Sequence, residues 1–248
     1  MRAEDILAYL NSIFPQTDAC DFDNVGLLVG DSKSEINKVL ISLDCTLSTV
    51  KTAVSNNCNL IITHHPVIFE PLKSVVSGSV VYELIKNGIT VISMHTNLDV
   101  GDNGVNDCLC RAIGIENINI ITASDGFALR AGVISPTTPK AFAEHLKNTL
   151  NGNIKYTDSG KEMEKVLVCS GSGGNFVTEA IEFGFDALVT SEIKHHQFLL
   201  AADNGISVFD AGHFNTEDIV IEPLKEILSK KIVGLEFLTN HENKIKSI

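Results

Sequence analysis

The chain has no tryptophan and only three tyrosines, and aromatic residues make up 6% of its 248 positions. A core of normal size must therefore rest on Ile, Val, Leu and Ala. A basic excess is also missing. Nineteen Lys and Arg stand against 31 Asp and Glu, for a formal net charge of -12. That balance argues against non-specific binding to DNA, RNA or an anionic membrane. An anionic substrate stays open if bound cations supply local positive charge. No run reaches the ~20 apolar residues a bilayer span needs. The opening stretch MRAEDILAYLNSIF carries acids on a helical period in place of a signal peptide's apolar block, so the expected location is cytoplasmic. The six cysteines include no CxxC pair; Cys108 and Cys110 form CxC. A chain this long and this cysteine-poor needs no disulfide framework, and reduced, buried thiols are expected.

Against these absences stands a duplication. VLISLDCTLSTVKTAVSNNCNLIITHH, from Val39, aligns without gaps on VLVCSGSGGNFVTEAIEFGFDALVTSE, from Val166, at an offset of 127 residues. Each stretch reads as a β-branched strand, a polar or Gly-rich turn, an amphipathic helix and a second short strand. NGITVISMH, from Asn87, then matches NGISVFDAGH, from Asn204, at an offset of 117. Here Asn-Gly stops a helix before a third strand. The pattern predicts an α/β fold with two similar strand–helix–strand halves, mainly parallel sheets and flanking helices. The expected boundaries are 1–115 for a first half with its N-terminal helix, 116–162 for a short connecting region and 163–248 for a second half. Within the connection, FALRAGVIS reads as a strand, PTTPKAFAEHLKNTL as a helix with a Thr or Pro start, NIKYT as a further strand, and SPTTP as the most loop-like segment.

Sites in such sheets lie beyond the carboxyl ends of the strands, and the unusual residues fall there. Thr63, His64, His65 and Pro66 close an apolar strand. On an extended chain neighbouring side chains point to opposite sides, so adjacent histidines are expected to reach two different ions rather than chelate one. MHTNLDVGDNGVND, after the third strand, offers His95, Asp99, Asp102 and Asp107. Asp102 or Asp99 can supply a hard oxygen ligand, although Asp99 and Asp107 read more simply as turn formers and caps. In the second copy, TSEIKHHQ holds Glu192, His195 and His196, and GHFNTED holds His213 and Glu217. The i, i+4 spacing of the last two lets them face the same way on a helix. SGSGGNF, Ser170 to Phe176, reads first as a tight turn and second as an anion cradle, since it lacks both the third glycine of a dinucleotide fingerprint and a P-loop lysine. Three imidazoles and two carboxylates leave positions open on two cations, and a bridging carboxylate holds such ions ~3.5–4 Å apart. Nitrogen and oxygen donors without thiolate suit Zn, Fe, Mn, Co or Ni.

DNVGLLVGD (from Asp23), ITHHP, HTNLDVGDNGVND, the SGSGG turn, ALVTSEIKHH and GHFNTE occur in this order. In this order they resemble the motifs of the GTP cyclohydrolase type 2-homolog family, also called NGG-interacting-factor-like proteins. The resemblance covers nearly the whole chain. It implies two similar α/β halves, a homohexamer built as a trimer of dimers, and a dinuclear metal site of two divalent ions. His64, Asp102 and Glu217 would hold one ion, and His65, His213 and Glu217 the other. His95, Glu192 and His196 would support them from behind. Phe22 stands where the family often has Trp, and Ser191 where it often has Gly; neither is one of the implied ligands. The implied function is a metal-dependent hydrolase, cyclohydrolase-like, on a nucleotide or heterocyclic small molecule. The competing expectation is a non-catalytic metal carrier or regulatory scaffold. No nucleic-acid or membrane partner is expected.

Overall fold

The computed structural model describes residues 1–246. From the N-terminus come α1 (Ala3–Ile13), β1 (Gly26–Val29), β2 (Lys38–Ser42), α2 (Leu47–Ser55), β3 (Leu60–Thr63), α3 (Val80–Lys86), β4 (Thr90–Ser93) and α4 (Thr96–Val100). There follow α5 (Val105–Ala112), β5 (Glu116–Thr122), β6 (Ala128–Thr137), α6 (Pro139–Leu150), β7 (Lys155–Tyr156), β8 (Met163–Ser172), α7 (Val177–Glu182), β9 (Ala187–Ser191), α8 (His195–Asp203), β10 (Ser207–Asp210) and α9 (His213–Glu217). The chain ends with α10 (Ile221–Lys231) and β11 (Glu236–Asn240). No helix among the described residues is long and apolar enough to cross a membrane.

The chain divides into two compact units. One is Met1–Asp102 with Ile221–Lys244, and the other is built on Asn103–Val220. The first carries the sheet order β1-β4-β3-β2-β11, parallel except for β1. Its central strands are apolar in their middles and polar only at their ends, and Leu60, Ile61 and Ile62 are all fully buried, as strands covered on both faces must be. The second carries β5-β6-β8-β9-β10-β7. There only β8-β9 and β9-β10 are parallel, so this sheet is mixed where a mainly parallel one was expected.

The duplication is visible as register. Val39 pairs with Leu60 and Leu60 with Thr90; 127 and 117 residues on, Val166 pairs with Ala187 and Ala187 with Ser207. Both copies of Asn-Gly follow a helix, and Gly88 and Gly205 take φ of +63° and +67°, the left-handed turn that a side chain resists.

Two boundaries differ from the sequence reading. Residues 116–162, expected as a short connecting region with a strand, a helix and a further strand, belong to the second unit and supply it with β5, β6, α6 and β7. The C-terminal α10 and β11 do not extend the second half; β11 pairs in parallel with β2. That return covers the edge that β2 would otherwise expose, and nothing in the residues of β11 alone announces its partner. SPTTP is also less loop-like than expected. Ser135, Pro136 and Thr137 finish β6 where its register with β8 shifts, a place that tolerates proline. Thr138 then caps α6 by accepting from the Ala141 N–H.

Candidate metal centre

In the first unit, three imidazoles stand beyond the carboxyl ends of parallel strands. β3 stops at Thr63, so His64 and His65 lie past the extended backbone. The rule that neighbours point apart therefore no longer holds for them. Their ring centroids are 5.0 Å apart, and His95, following β4, lies 5.1 Å from the first and 5.6 Å from the second. One ring nitrogen from each of the three falls within 4.8 Å of the others. Adjacent histidines are thus brought to one side, contrary to the alternation expected from the sequence.

Each ring is fixed by an acceptor at Nδ1. His64 Nδ1 donates to the Met94 carbonyl at 3.0 Å, His65 Nδ1 meets Asp44 Oδ1 at 2.8 Å, and His95 Nδ1 meets Asp23 Oδ1 at 2.8 Å. A carbonyl or carboxylate there keeps the proton on Nδ1 and leaves the Nε2 lone pair of a neutral ring as the donor a metal takes. Asp23 is in turn gripped by the Thr96 N–H at 3.0 Å and the Thr96 hydroxyl at 2.5 Å. Burial pushes its carboxyl up, but the His95 and Thr96 hydrogen bonds and the His95 charge outweigh this and bring it down to about 2. The DNVG motif reaches this place because β1 runs antiparallel to β4, pairing Gly26 with Ser93. β1 therefore begins where β4 ends, and Asp23 just before it lies beside His95.

The carboxylate beside His64 is that of Asp99, 3.5 Å from Nε2 and 8% exposed. Asp102 lies three residues on, exposed in the turn before α5. The rest of that motif is structural. Asn97 donates to the Phe14 carbonyl, and Asn106 accepts from the Ser170 N–H at 2.7 Å. Asp107 accepts from the buried Arg130 at 2.5 Å and from the Asn103 N–H at 2.7 Å.

In the second unit the helix α9 begins at His213, and the i, i+4 pair meets as its spacing predicts: His213 Nε2 lies 3.0 Å from Glu217 Oε2. His213 Nδ1 meets Glu192 Oε1 at 2.8 Å. A neutral ring can donate to only one of two flanking carboxylates, so the second contact calls for a proton or a cation between imidazole and carboxylate. Glu217 is 3% exposed, and a carboxylate so deeply placed needs positive charge beside it. Glu192 takes φ of +55°, a backbone state that costs a non-glycine residue free energy and concentrates at functional sites. His196 lies exposed in the first turn of α8, away from the role expected for it.

The SGSGG segment, read as a tight turn, is the end of β8 at Ser170–Ser172, followed by Gly173 and a short 3-10 turn that starts at Gly174. The N–H of Gly171 donates to Thr216 Oγ1 and that of Gly173 to Thr190 Oγ1, so these amides do not face an anion. Gly171 has φ of +58°, and a Cβ there would sit 2.0 Å from Glu217 Oε1. Gly171→Ala must therefore displace the Glu217 carboxylate. We expect a loss of about 1–3 kcal/mol, read by denaturant unfolding, together with weaker divalent-metal binding. Unchanged values on both counts would contradict this.

All six cysteines are thiols. Burial pushes Cys45 and Cys110 up to about 12 and Cys108 up to about 11, with the charges of Asp44 on Cys45 and Asp107 on Cys110 adding to it. Burial also raises Cys58. Thiols held this high are not nucleophiles at neutral pH. At pH 8 a thiol reagent should modify at most the half-buried Cys20 in the native protein and all six in denaturant. Rapid labelling of Cys45 or Cys110 would contradict the assignment.

A family model described as Duf34/NIF3 (NGG1p interacting factor 3) matches residues 1–244. The chain is 32% identical over 246 residues to a protein of Clostridium acetobutylicum named GTP cyclohydrolase 1 type 2 homolog, covering 94% of this chain and 90% of that one. A Clostridium perfringens protein of the same name is 31% identical, with 98% of each chain covered. Among solved structures, a hypothetical protein of Staphylococcus aureus matches with a TM-score of 0.92 at 26% identity, over 100% of this chain and 99% of that one. Reduced HcgD from Methanocaldococcus jannaschii matches with a TM-score of 0.83 at 31% identity, over 96% and 97%.

Proposed function

The chain belongs to the Duf34/NIF3 (NGG1p interacting factor 3) family, and from that premise we propose that it binds two divalent cations and acts as a metal-dependent hydrolase on a nucleotide or heterocyclic substrate. The name carried by its Clostridium relatives, GTP cyclohydrolase 1 type 2 homolog, is in line with this reading. His64, Asp99 and Glu217 would hold one ion, and His65, His213 and Glu217 the other. Asp99 takes the part that the resemblance gave to Asp102, because its carboxylate is the one beside His64 Nε2.

The observation that carries the proposal is the donor chemistry: each of these imidazoles has an oxygen acceptor at Nδ1, leaving Nε2 for a cation. The donor set holds no thiolate and suits Zn, Fe, Mn, Co or Ni. Bound ions of this kind polarise a substrate oxygen and lower the pKa of a coordinated water toward ~7. The chain's own part is orientation. Met94, Asp44 and Glu192 keep the rings turned to present Nε2, and Glu217 offers two oxygens from one buried carboxylate. The same proposal includes the homohexamer, for which light scattering should give six times the 26.8 kDa chain mass.

Elemental analysis of gently purified protein should find two divalent ions per chain. The reloaded protein should turn over GTP or a related compound at a rate at least about 100-fold above a His64→Ala/His65→Ala control. Two tightly held ions with no turnover beyond that control would contradict the hydrolase and favour a metal carrier. No ions at all would contradict both.

A further inference from the structure

We propose that His64, His65 and His95 form a three-imidazole site that holds a single divalent cation from within residues 1–102 alone. It rests on the metal-binding reading above but not on the second unit's ligands, and it gives His95 a direct bond to the metal.

Three observations in the first unit carry it. One ring nitrogen of each histidine lies within 4.8 Å of the other two. Zinc–imidazole bonds of ~2.0–2.1 Å at tetrahedral angles put such nitrogens ~3.3 Å apart, so modest side-chain rotation closes the triangle. Each Nδ1 faces an oxygen acceptor, the Met94 carbonyl, Asp44 or Asp23, so all three rings are set to present Nε2. The third support is the quality of the His95 anchor. Asp23 takes hydrogen bonds from His95 and two from Thr96, and Phe69 packs edge-on against the His95 ring with centroids 6.2 Å apart. A ring held by a doubly fixed carboxylate and covered on one side by an aromatic is oriented like a ligand. A ring serving only to fill space has no need of that arrangement.

Three imidazoles satisfy three positions of a four-coordinate ion and leave the fourth open. With both ions bound, His64 and His65 would serve different metals. With one ion bound, the three rings can share it. The site is therefore the resting place of the first ion to load.

The probe is the metal alone. X-ray absorption of the unaltered protein at half an equivalent of zinc should fit three imidazoles around the ion; two or fewer imidazoles with carboxylate oxygen would overturn the proposal. A His213→Ala/Glu217→Gln variant, checked by circular dichroism for native helix content, should keep one cobalt ion per chain. Adding His95→Ala should lower its cobalt affinity at least about tenfold. A change under twofold would overturn the proposal, as would a folded double variant that binds no cobalt. If that variant binds none while the unaltered protein binds two ions, the paired-ion reading stands and this one fails. If the unaltered protein binds none, the paired-ion reading fails as well.

Discussion

Glu217→Gln should abolish paired-metal binding while leaving the fold in place. Glutamine keeps the shape of the side chain but removes the negative charge, and the lost carboxylate is the one group expected to contact both ions. Supporting residues around metal ligands are worth 10–100-fold in affinity, so a bridging ligand should be worth on the order of 100-fold or more. Without metal the variant should be at least as stable as the parent, because an amide beside His213 costs less to bury than a carboxylate. With metal the two should separate. At a zinc concentration one hundred times the Kd, the parent gains ~2.7 kcal/mol for each ion it holds, and the variant should gain no more than the share of the single ion that His64, His65 and His95 can keep. Thermal melts with and without zinc, alongside elemental analysis, measure this. A variant that still holds two ions and shows the parent's full zinc-dependent rise would contradict the ligand assignment.

The second large effect concerns stability. Asp107→Ala should destabilise the unit built on 103–220 by about 3–5 kcal/mol. The Arg130 side chain is 2% exposed and its Nε lies 2.5 Å from Asp107 Oδ1. Removing the carboxylate takes a directly bonded charge partner from a buried guanidinium and also leaves the Asn103 N–H without the acceptor it meets at 2.7 Å. Buried pairs are costly to break but not costly to replace. The double variant Asp107→Leu/Arg130→Met should therefore recover most of the loss, short of about 1 kcal/mol for the Asn103 amide. Urea unfolding of the three proteins tests this. A single variant within about 1 kcal/mol of the parent would contradict the account, as would a double variant no better than the single.

Much of this molecule can be read from its residues. The two copies of strand–helix–strand, their Asn-Gly stops and the placement of histidines past strand ends follow from local periodicity and turn chemistry, and the ladder registers repeat at the same offsets as the sequence. Local reasoning failed where the outcome depended on distant chain. The alternation rule misplaced His64 and His65 because it assumes an extended backbone, and β3 has already ended at Thr63. Asp99 looked like a turn former, yet α4 carries it to His64. Asp23 and Asp44 show no local sign of a part in the site, because their partners, His95 and His65, lie 72 and 21 residues away. Gly171 looked like any turn glycine, and only the approach of Glu217 explains it. β5 and β11 were missed for the same reason. Edge strands are chosen by the ladder they complete, and that ladder is written elsewhere in the chain. Arg130 sits inside β6 with no local sign that an acid on α5 would meet it.

The most direct test of the central claim is an anomalous difference map from crystals of the full chain loaded with zinc and measured at the zinc edge. The account predicts two peaks per chain, ~3.5–4 Å apart, bounded by His64, His65, Asp99, His213 and Glu217. No peak among these side chains, or peaks elsewhere with these five left unliganded, would contradict it.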